Sequence, residues 1–250
     1  MNNNILFSLE NKVISLFKEI FENPDYMERL NKMEKNDRSL VTSLDIKISN
    51  EFKSFFKKHD SFKGFNFLSE EDQIDLLFPS IILDPIDGTK EMSMGIPECA
   101  VSLAIMNSSK IDGEAWIFNP FTGLNISSNQ KNVHSPSTNK FNLTGLISRS
   151  EAQKGMLKKY NRKKINLIAK GSIAYKLGLL AVGACDFVIS KKDKNIWDIA
   201  GGTIICKKRG INCFVDGKKI SNLESERYKG PILWCRDSDF SFIESAVYFS

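Results

Sequence analysis

The chain has 250 residues, 42% hydrophobic and 26% charged, with a formal net charge of +5 at pH 7. That is ordinary globular composition, sufficient for a sizeable core in one domain or two tightly joined ones. The basic residues are scattered, apart from short clusters such as Lys207-Lys208-Arg209, and no nucleic-acid-binding module accompanies them. The modest positive field therefore suits a small anionic substrate and excludes nucleic-acid binding as the main role.

The opening segment carries apolar residues at helical spacing: Leu6, Leu9, Val13, Leu16, Phe17 and Ile20. This pattern predicts an amphipathic helix stopping near Pro24, not a signal peptide. No apolar run reaches membrane-spanning length, so a cytoplasmic protein is expected. Ile48, Phe52, Phe55 and Phe56 fall on one face of a second helix over about residues 46 to 58, with the phenylalanines as core. "FNFLSEED" reads as a short strand ending in acids, and "LLFPSIILD" as a buried strand ending at Asp84. "AVSLAIM" (100–106) and "GEAWIF" (113–118) read as paired strands.

The polar stretch "SSNQKNVHSPSTNKFN" (127–142) is the best boundary, dividing an α+β half, residues 1–135, from an α/β half, residues 136–250, of one compact unit. Beyond it, "LTGLISRS" reads as a strand, and "SEAQKGMLKKY" as a helix with a serine cap. "INLIAKGS" reads as a strand leading into the apolar helix "IAYKLGLLAVGAC". "CDFVIS" is a further strand, and "WDIAGGTIICKKRG" a helix ending at Gly210. Alternating strands and helices indicate α/β layers. The five cysteines, odd in number and without a CxxC pair, exclude a disulfide framework and a zinc site; they read as buried small apolar residues in a reducing compartment. His59 and His134 read as surface residues.

The acids carry the chemistry. Asp84 ends a β-branched run and so emerges at the carboxyl edge of a sheet, where ligands gather in α/β folds. Pro85 lacks an N–H and would block further pairing. Gly88 permits close backbone approach, and the residues from Thr89 onward could open a helix with free N–H groups toward an anion. Asp87 has a plain alternative role as a helix cap. Glu70 and Glu71 follow another apolar strand, and Asp198 sits in "NIWDIAGG". Convergence of these acids would require a cation, and oxygen-only ligands suit Mg²⁺ beside phosphate. Carboxylates, a glycine turn and a helix start together suggest metal-assisted phosphoryl transfer to water.

"LVTSLD", "LSEED", "LDPIDGTKE" and "NIWDIAGG" stand in the order and approximate spacing of the inositol monophosphatase superfamily, which the chain resembles from about residue 5 to its end. The resemblance implies a layered αβαβα sandwich and a Mg²⁺-dependent, lithium-sensitive phosphomonoesterase holding two or three ions. It implies that Glu70, Asp84, Asp87, Asp198 and the carbonyl of Ile86 are metal ligands, with Asp84 bridging two ions. Gly88 and Thr89 would bind phosphate, and Asp45, Thr89 and Glu70 would serve catalysis by orienting and deprotonating the attacking water. "GSIAYKLGLLAVGACDF" resembles the family's substrate-side helix, which adds Gly171 and Ser172 to the substrate contacts. The family often forms homodimers. Trp197 is expected beneath the site, and Glu71 beside it or at the surface.

For the substrate, "SEED", Lys90 in "DGTKE" and "ISRS" (147–150) resemble bacterial 3'(2'),5'-bisphosphate nucleotidases, whereas the spacing of "GSIAYKLGLLAVGACD" is closer to inositol monophosphatases. Inositol monophosphatases carry a glutamate about seven residues before the WD aspartate; here Ser190, Lys191 and Lys192 occupy that region. Lysine cannot accept a hydroxyl hydrogen bond but can meet a second phosphate. Lys191 is therefore a candidate substrate contact, with a solvated lysine loop as the plain alternative, and hydrolysis of 3'-phosphoadenosine 5'-phosphate to AMP is the favoured activity. Inositol 1-phosphate hydrolysis is the alternative, and a catalytically silent phosphate- or protein-binding relative the reading from another class.

Overall fold

The apolar stripe at the start of the chain forms α1 (Asn3–Phe21), which buries Leu9, Val13, Phe17 and Ile20. The computed structural model describes residues 3–23, 25–26, 30, 33–34, 40–72, 75–130, 142–152 and 165–248. Two short strands, β1 (Met33–Glu34) and β2 (Leu40–Val41), pair antiparallel and lead into α2 (Ser43–Lys58). That helix begins three residues before the expected start at 46, because Thr42 and Asp45 form a reciprocal capping box.

The first sheet has five strands in the order β3-β4-β5-β6-β7: β3 (Asn66–Ser69), β4 (Ser80–Asp87), β5 (Ala100–Met106), β6 (Glu114–Asn119) and β7 (Leu124–Ser127). Only β3 and β4 run parallel. Side chains alternate across β4 with period two. Ile81 and Leu83 face α1 and α2 beside Phe52 and Phe56, and Ile82 faces the opposite layer. Phe55 is only partly buried on the same cluster, and His59 is exposed with its ring against Phe55.

The strand expected to end at Asp84 instead continues to Asp87, with a register shift between these two residues against β5. Pro85 ends no strand because it sits in the bulge, where no ladder N–H is required. The four-residue helix α3 (Thr89–Met92) follows.

The second sheet has six strands in the order β13-β12-β15-β10-β8-β9. These are β8 (Leu143–Ser148), β9 (Ile165–Lys170), β10 (Phe187–Ser190), β12 (Asn212–Val215), β13 (Lys218–Lys219) and β15 (Ile232–Cys235). β8 is parallel to both β9 and β10, and the remaining pairs are antiparallel. Between the sheets lie α5 (Ile173–Ala181) and α6 (Ile196–Lys207), with α6 packed on β5 and β6 on one side and on β12 on the other. A helix held between two sheets has no wet face, so α6 is apolar around its circumference. Gly201 and Gly202 permit that closeness. A Cβ on Gly201 would stand 2.7 Å from Ser102 Oγ, and one on Gly202 would stand 2.4 Å from Leu177 Cδ1.

The far face of the second sheet is covered by α7 (Asp237–Ile243), through Phe240 and Ile243. The layer order is thus the expected αβαβα sandwich. A small pair, β11 (Lys194–Asn195) and β14 (Arg227–Tyr228), flanks the start of α6.

The short helix α4 (Arg149–Glu151) is capped by Ser148, two residues before the serine expected in that role, because Glu151 closes a capping box with it. The rest of that expected helix, residues 153–160, lies outside the described residues, as do residues 131–141 of the polar stretch and His134. All five cysteines are free and buried. Among the described residues no helix is long and apolar enough to cross a membrane.

Candidate active site

The parallel strands β8, β9 and β10 deliver their carboxyl ends to one cavity of about 550 Å³, through Ser148, Gly171 and Ser190. The end of β4 supplies Asp84, Ile86, Asp87, Gly88 and Thr89 to the same cavity, and the start of α6 supplies Asp198. Glu70, the residue after β3, also lines it. The carboxyl ends of the parallel strands of both sheets thus meet at one crevice, the place where α/β proteins collect ligands.

One carboxylate oxygen from each of Asp84, Asp87 and Asp198 lies within 4.8 Å of the others. The fold holds one oxygen, Oδ2, of two of them. Asp87 Oδ2 accepts the Ser172 hydroxyl at 2.6 Å and the backbone N–H of Ala174. Asp198 Oδ2 accepts the N–H of Asn195 at 2.9 Å, as a helix-capping residue. The capping reading of Asp87 is thereby corrected: its carboxylate receives the start of α5, not of α3. Asp84 is 1% exposed, and its Oδ1 is buried without a hydrogen-bond partner.

Burial pushes the Asp84 carboxyl well above the usual range, and the charges of Glu70, Asp87, Asp198 and Asp45 push it further. Burial of the Asp198 carboxyl, reinforced by Asp87, raises it to about 7. An orphaned buried carboxylate oxygen among other acids, with oxygen as the only donor type, is the electrostatic deficit that a hard divalent cation fills. The residues present fit Mg²⁺.

Asp45 does not line the cavity directly. It is 1% exposed and joins the site through Thr89, whose Oγ1 lies 3.0 Å from Asp45 Oδ1 and 2.8 Å from the Ile86 carbonyl. Its other oxygen accepts the Thr42 N–H at 2.8 Å. Burial raises the Asp45 carboxyl to about 7 against the opposing Thr42 bonds. Gly88 has φ +94°, and a Cβ there would stand 2.7 Å from the Glu98 carbonyl oxygen. Ser172 holds a positive φ of 53°, unusual for a residue with a side chain. Its hydroxyl bridges Asp87 and the N–H of Tyr175. Trp197 is half-buried against the central core cluster, and Glu71 is half-buried.

Basic residues share the cavity with the acids. Arg149, Lys176, Lys192 and Lys194 line the cavity, with Lys90 at the phosphate-turn side. Lys191 does not; its backbone N–H donates to Glu151 Oε1 at 2.7 Å, as does that of Lys192 at 3.1 Å. Lys176 is 2% exposed, and its ammonium makes one hydrogen bond among the described residues, 3.2 Å to the Lys170 carbonyl. Burial lowers its pKa to about 8, against the attraction of Asp87. Sequence reading passed over Lys176 and Glu98. A lysine inside the apolar run "IAYKLGLL" was the available signal, since lysine is almost never fully buried unless it is paired. Glu98, in a loop between strands, carried no signal.

The family model described as "Inositol monophosphatase family" matches residues 3–222. The chain is 31% identical to the fructose-1,6-bisphosphatase of Pyrococcus furiosus over 148 residues, covering 52% of this chain and 53% of that enzyme. The match therefore spans about half the length of that curated relative. The structure resembles an inositol monophosphatase of Thermotoga maritima with a TM-score of 0.75 at 20% identity, over 99% of both chains. It also resembles an inositol monophosphatase/NADP phosphatase complexed with Mg²⁺ and phosphate, with a TM-score of 0.75 at 16% identity over 97% of this chain and 95% of that one. At these identities the structural likeness speaks for the fold, which agrees with the layered sandwich described above. The sequence match over residues 3–222, with the acids of β4 and α6 gathered at one crevice, assigns the chain to the inositol monophosphatase family.

Proposed function

We propose that the chain is a Mg²⁺-dependent phosphomonoesterase acting on a small substrate with two phosphates, best matched by 3'-phosphoadenosine 5'-phosphate. The observation that carries the second phosphate is the set of cations lining the cavity, Arg149, Lys176, Lys192 and Lys194, with Lys90 beside the turn after β4. Asp87, Glu151 and Glu91 attract the buried Lys176 ammonium, and a substrate anion would add a further counter-charge to this basic lining.

Asp84, Asp87, Asp198 and Glu70, with the Ile86 carbonyl, would hold the metal. Bound there, Mg²⁺ would offset the negative charge of the phosphoryl oxygens and of the departing oxygen. Gly88 and Thr89 receive the scissile phosphate at the turn after β4. Asp45 draws the proton of the attacking water through Thr89 Oγ1, the only hydroxyl that bonds its Oδ1 among the described residues. Gly171 and Ser172 border the substrate on the opposite side. Lys191 acts through its backbone bond to Glu151, which aligns the loop carrying Lys192 and Lys194.

The Pyrococcus relative is named for a sugar bisphosphate, which supports the two-phosphate class and offers fructose 1,6-bisphosphate as the second reading. Inositol 1-phosphate leaves the basic lining without a second anion. Phosphate release from these three compounds, with Mg²⁺ and with EDTA, tests the proposal. Preference for the nucleotide by at least about tenfold in kcat/KM is expected, and a preference for inositol 1-phosphate overturns it.

A further inference from the structure

Glu98 lies between α3 and β5 and is 7% exposed. Four donors converge on its carboxylate: Arg149 Nε at 3.0 Å, Arg149 Nη2, Lys170 Nζ at 3.0 Å and the Gly171 N–H at 2.7 Å. Its backbone carbonyl presses against Gly88, which binds phosphate in the reading above. One residue of the first layer therefore grips the ends of β8 and β9 and also packs on the phosphate turn. Burial raises its carboxyl pKa, but the Gly171 N–H, Lys170 and Arg149 outweigh burial and hold it below the usual range.

A buried ion pair is a weak source of stability, because desolvation offsets most of the attraction. What the contact does supply is orientation, because Nε and Nη2 of Arg149 both donate to the one oxygen Glu98 Oε2 and so fix the guanidinium plane. Nε and Nη2 of Arg149 are engaged by Glu98. Among the described residues no hydrogen bond engages Nη1, and Arg149 lines the cavity.

We propose that Glu98 is a positioning residue for the distal anion of the substrate, holding the Arg149 guanidinium so that its Nη1 edge faces that anion. The proposal rests on the two-phosphate reading of the cavity. Glu98 touches no substrate and acts through Arg149.

The test compares wild type, Glu98→Gln, Arg149→Met and the double variant, all with Mg²⁺, on 3'-phosphoadenosine 5'-phosphate and on p-nitrophenyl phosphate, which has one anion. In parallel, the rate at which phenylglyoxal modifies Arg149 is followed by peptide mass spectrometry in wild type and Glu98→Gln. Loss of a charged hydrogen-bond partner predicts a KM for the bisphosphate raised about tenfold in Glu98→Gln, with a clearly smaller change for p-nitrophenyl phosphate. The double variant should lose no more than about twofold beyond Arg149→Met, because both changes remove one interaction. Arg149 should react several-fold faster in Glu98→Gln. Losses that multiply in the double variant, equal losses on both substrates, or an unchanged phenylglyoxal rate would each overturn the proposal. If Glu98→Gln does not fold, Glu98→Asp, which keeps the charge but shortens the reach, replaces it with the same outcomes read. A wild type indifferent to the second phosphate defeats the two-phosphate reading instead, and the phenylglyoxal rate still reports separately whether Glu98 holds Arg149.

Discussion

Thr89 Oγ1 lies 3.0 Å from Asp45 Oδ1, so the turn after β4 is tied to the first turn of α2 through one hydroxyl proton. If this pair moves the proton of the attacking water, Asp45→Asn and Thr89→Val should each lower kcat by about 10²–10⁴-fold. The double variant should be little worse than either single one, because both belong to one relay. Steady-state kinetics with Mg²⁺ at saturation checks this, and full activity in Thr89→Val would break the relay.

Asp84 presents the opposite balance of stability and function. Its buried carboxylate faces Glu70, Asp87, Asp198 and Asp45. Asp84→Asn should therefore raise the melting temperature in EDTA, where the repulsion is unrelieved, while lowering turnover by on the order of 10³-fold. Addition of Mg²⁺ should stabilise wild type and leave Asp84→Asn almost unmoved. Thermal melts with and without the ion decide it; a variant less stable than wild type in EDTA would contradict the electrostatic account.

Lys176→Met removes a buried charge and keeps most of the volume. It should raise the KM for the bisphosphate nucleotide by about tenfold or more, as expected for loss of a charged contact. Stability should be equal or higher, since burial disfavours the ammonium more than Asp87 favours it and it has one hydrogen bond among the described residues to lose. An unchanged KM would mean that the lysine serves packing alone.

Glu98 has its carboxyl held below the usual range in the fold, so the sign of its pH effect follows directly. Its contribution to stability is fully present above the unfolded value of about 4.3 and disappears as pH falls through the lower folded value. The melting-temperature gap between wild type and Glu98→Gln should be largest near neutrality and shrink below about pH 4.3. A gap that is constant with pH would assign the effect to packing.

Gly88→Ala tests the phosphate turn. A side chain at φ +94° costs about 1–2 kcal/mol, and its Cβ would stand 2.7 Å from the Glu98 carbonyl oxygen, which cannot swing away as a side chain would. Both stability and turnover should fall, measured by chemical denaturation and by kcat.

The sequence made the long elements legible. Strong periodicity exposed α1 and α2, and the apolar runs of β4, β5 and β6 could be read directly. The short strands beyond Gly210, β12 and β15, escaped notice because four residues such as "NCFV" or "ILWC" carry too little pattern to separate strand from helix. Asp84 was expected to end its strand, but it pairs with Ser102 inside β4, which ran on to Asp87. A bulge accommodates a proline without a ladder bond, and nothing local announces a bulge.

What the sequence by itself determined is the set of groups: acids at the ends of apolar runs, a glycine turn, and a family pattern over most of the chain. Those depend on local spacing, which the sequence states outright. Which lysines face the substrate was decided only by tertiary structure. Lys191 was expected there, yet its backbone is held by Glu151, while Lys176, Lys192 and Lys194 line the cavity. The difference arises because a side chain's direction depends on partners far away in the chain. Glu98 is 51 residues from Arg149 and 73 from Gly171, and only packing two sheets around α5 and α6 brings them together.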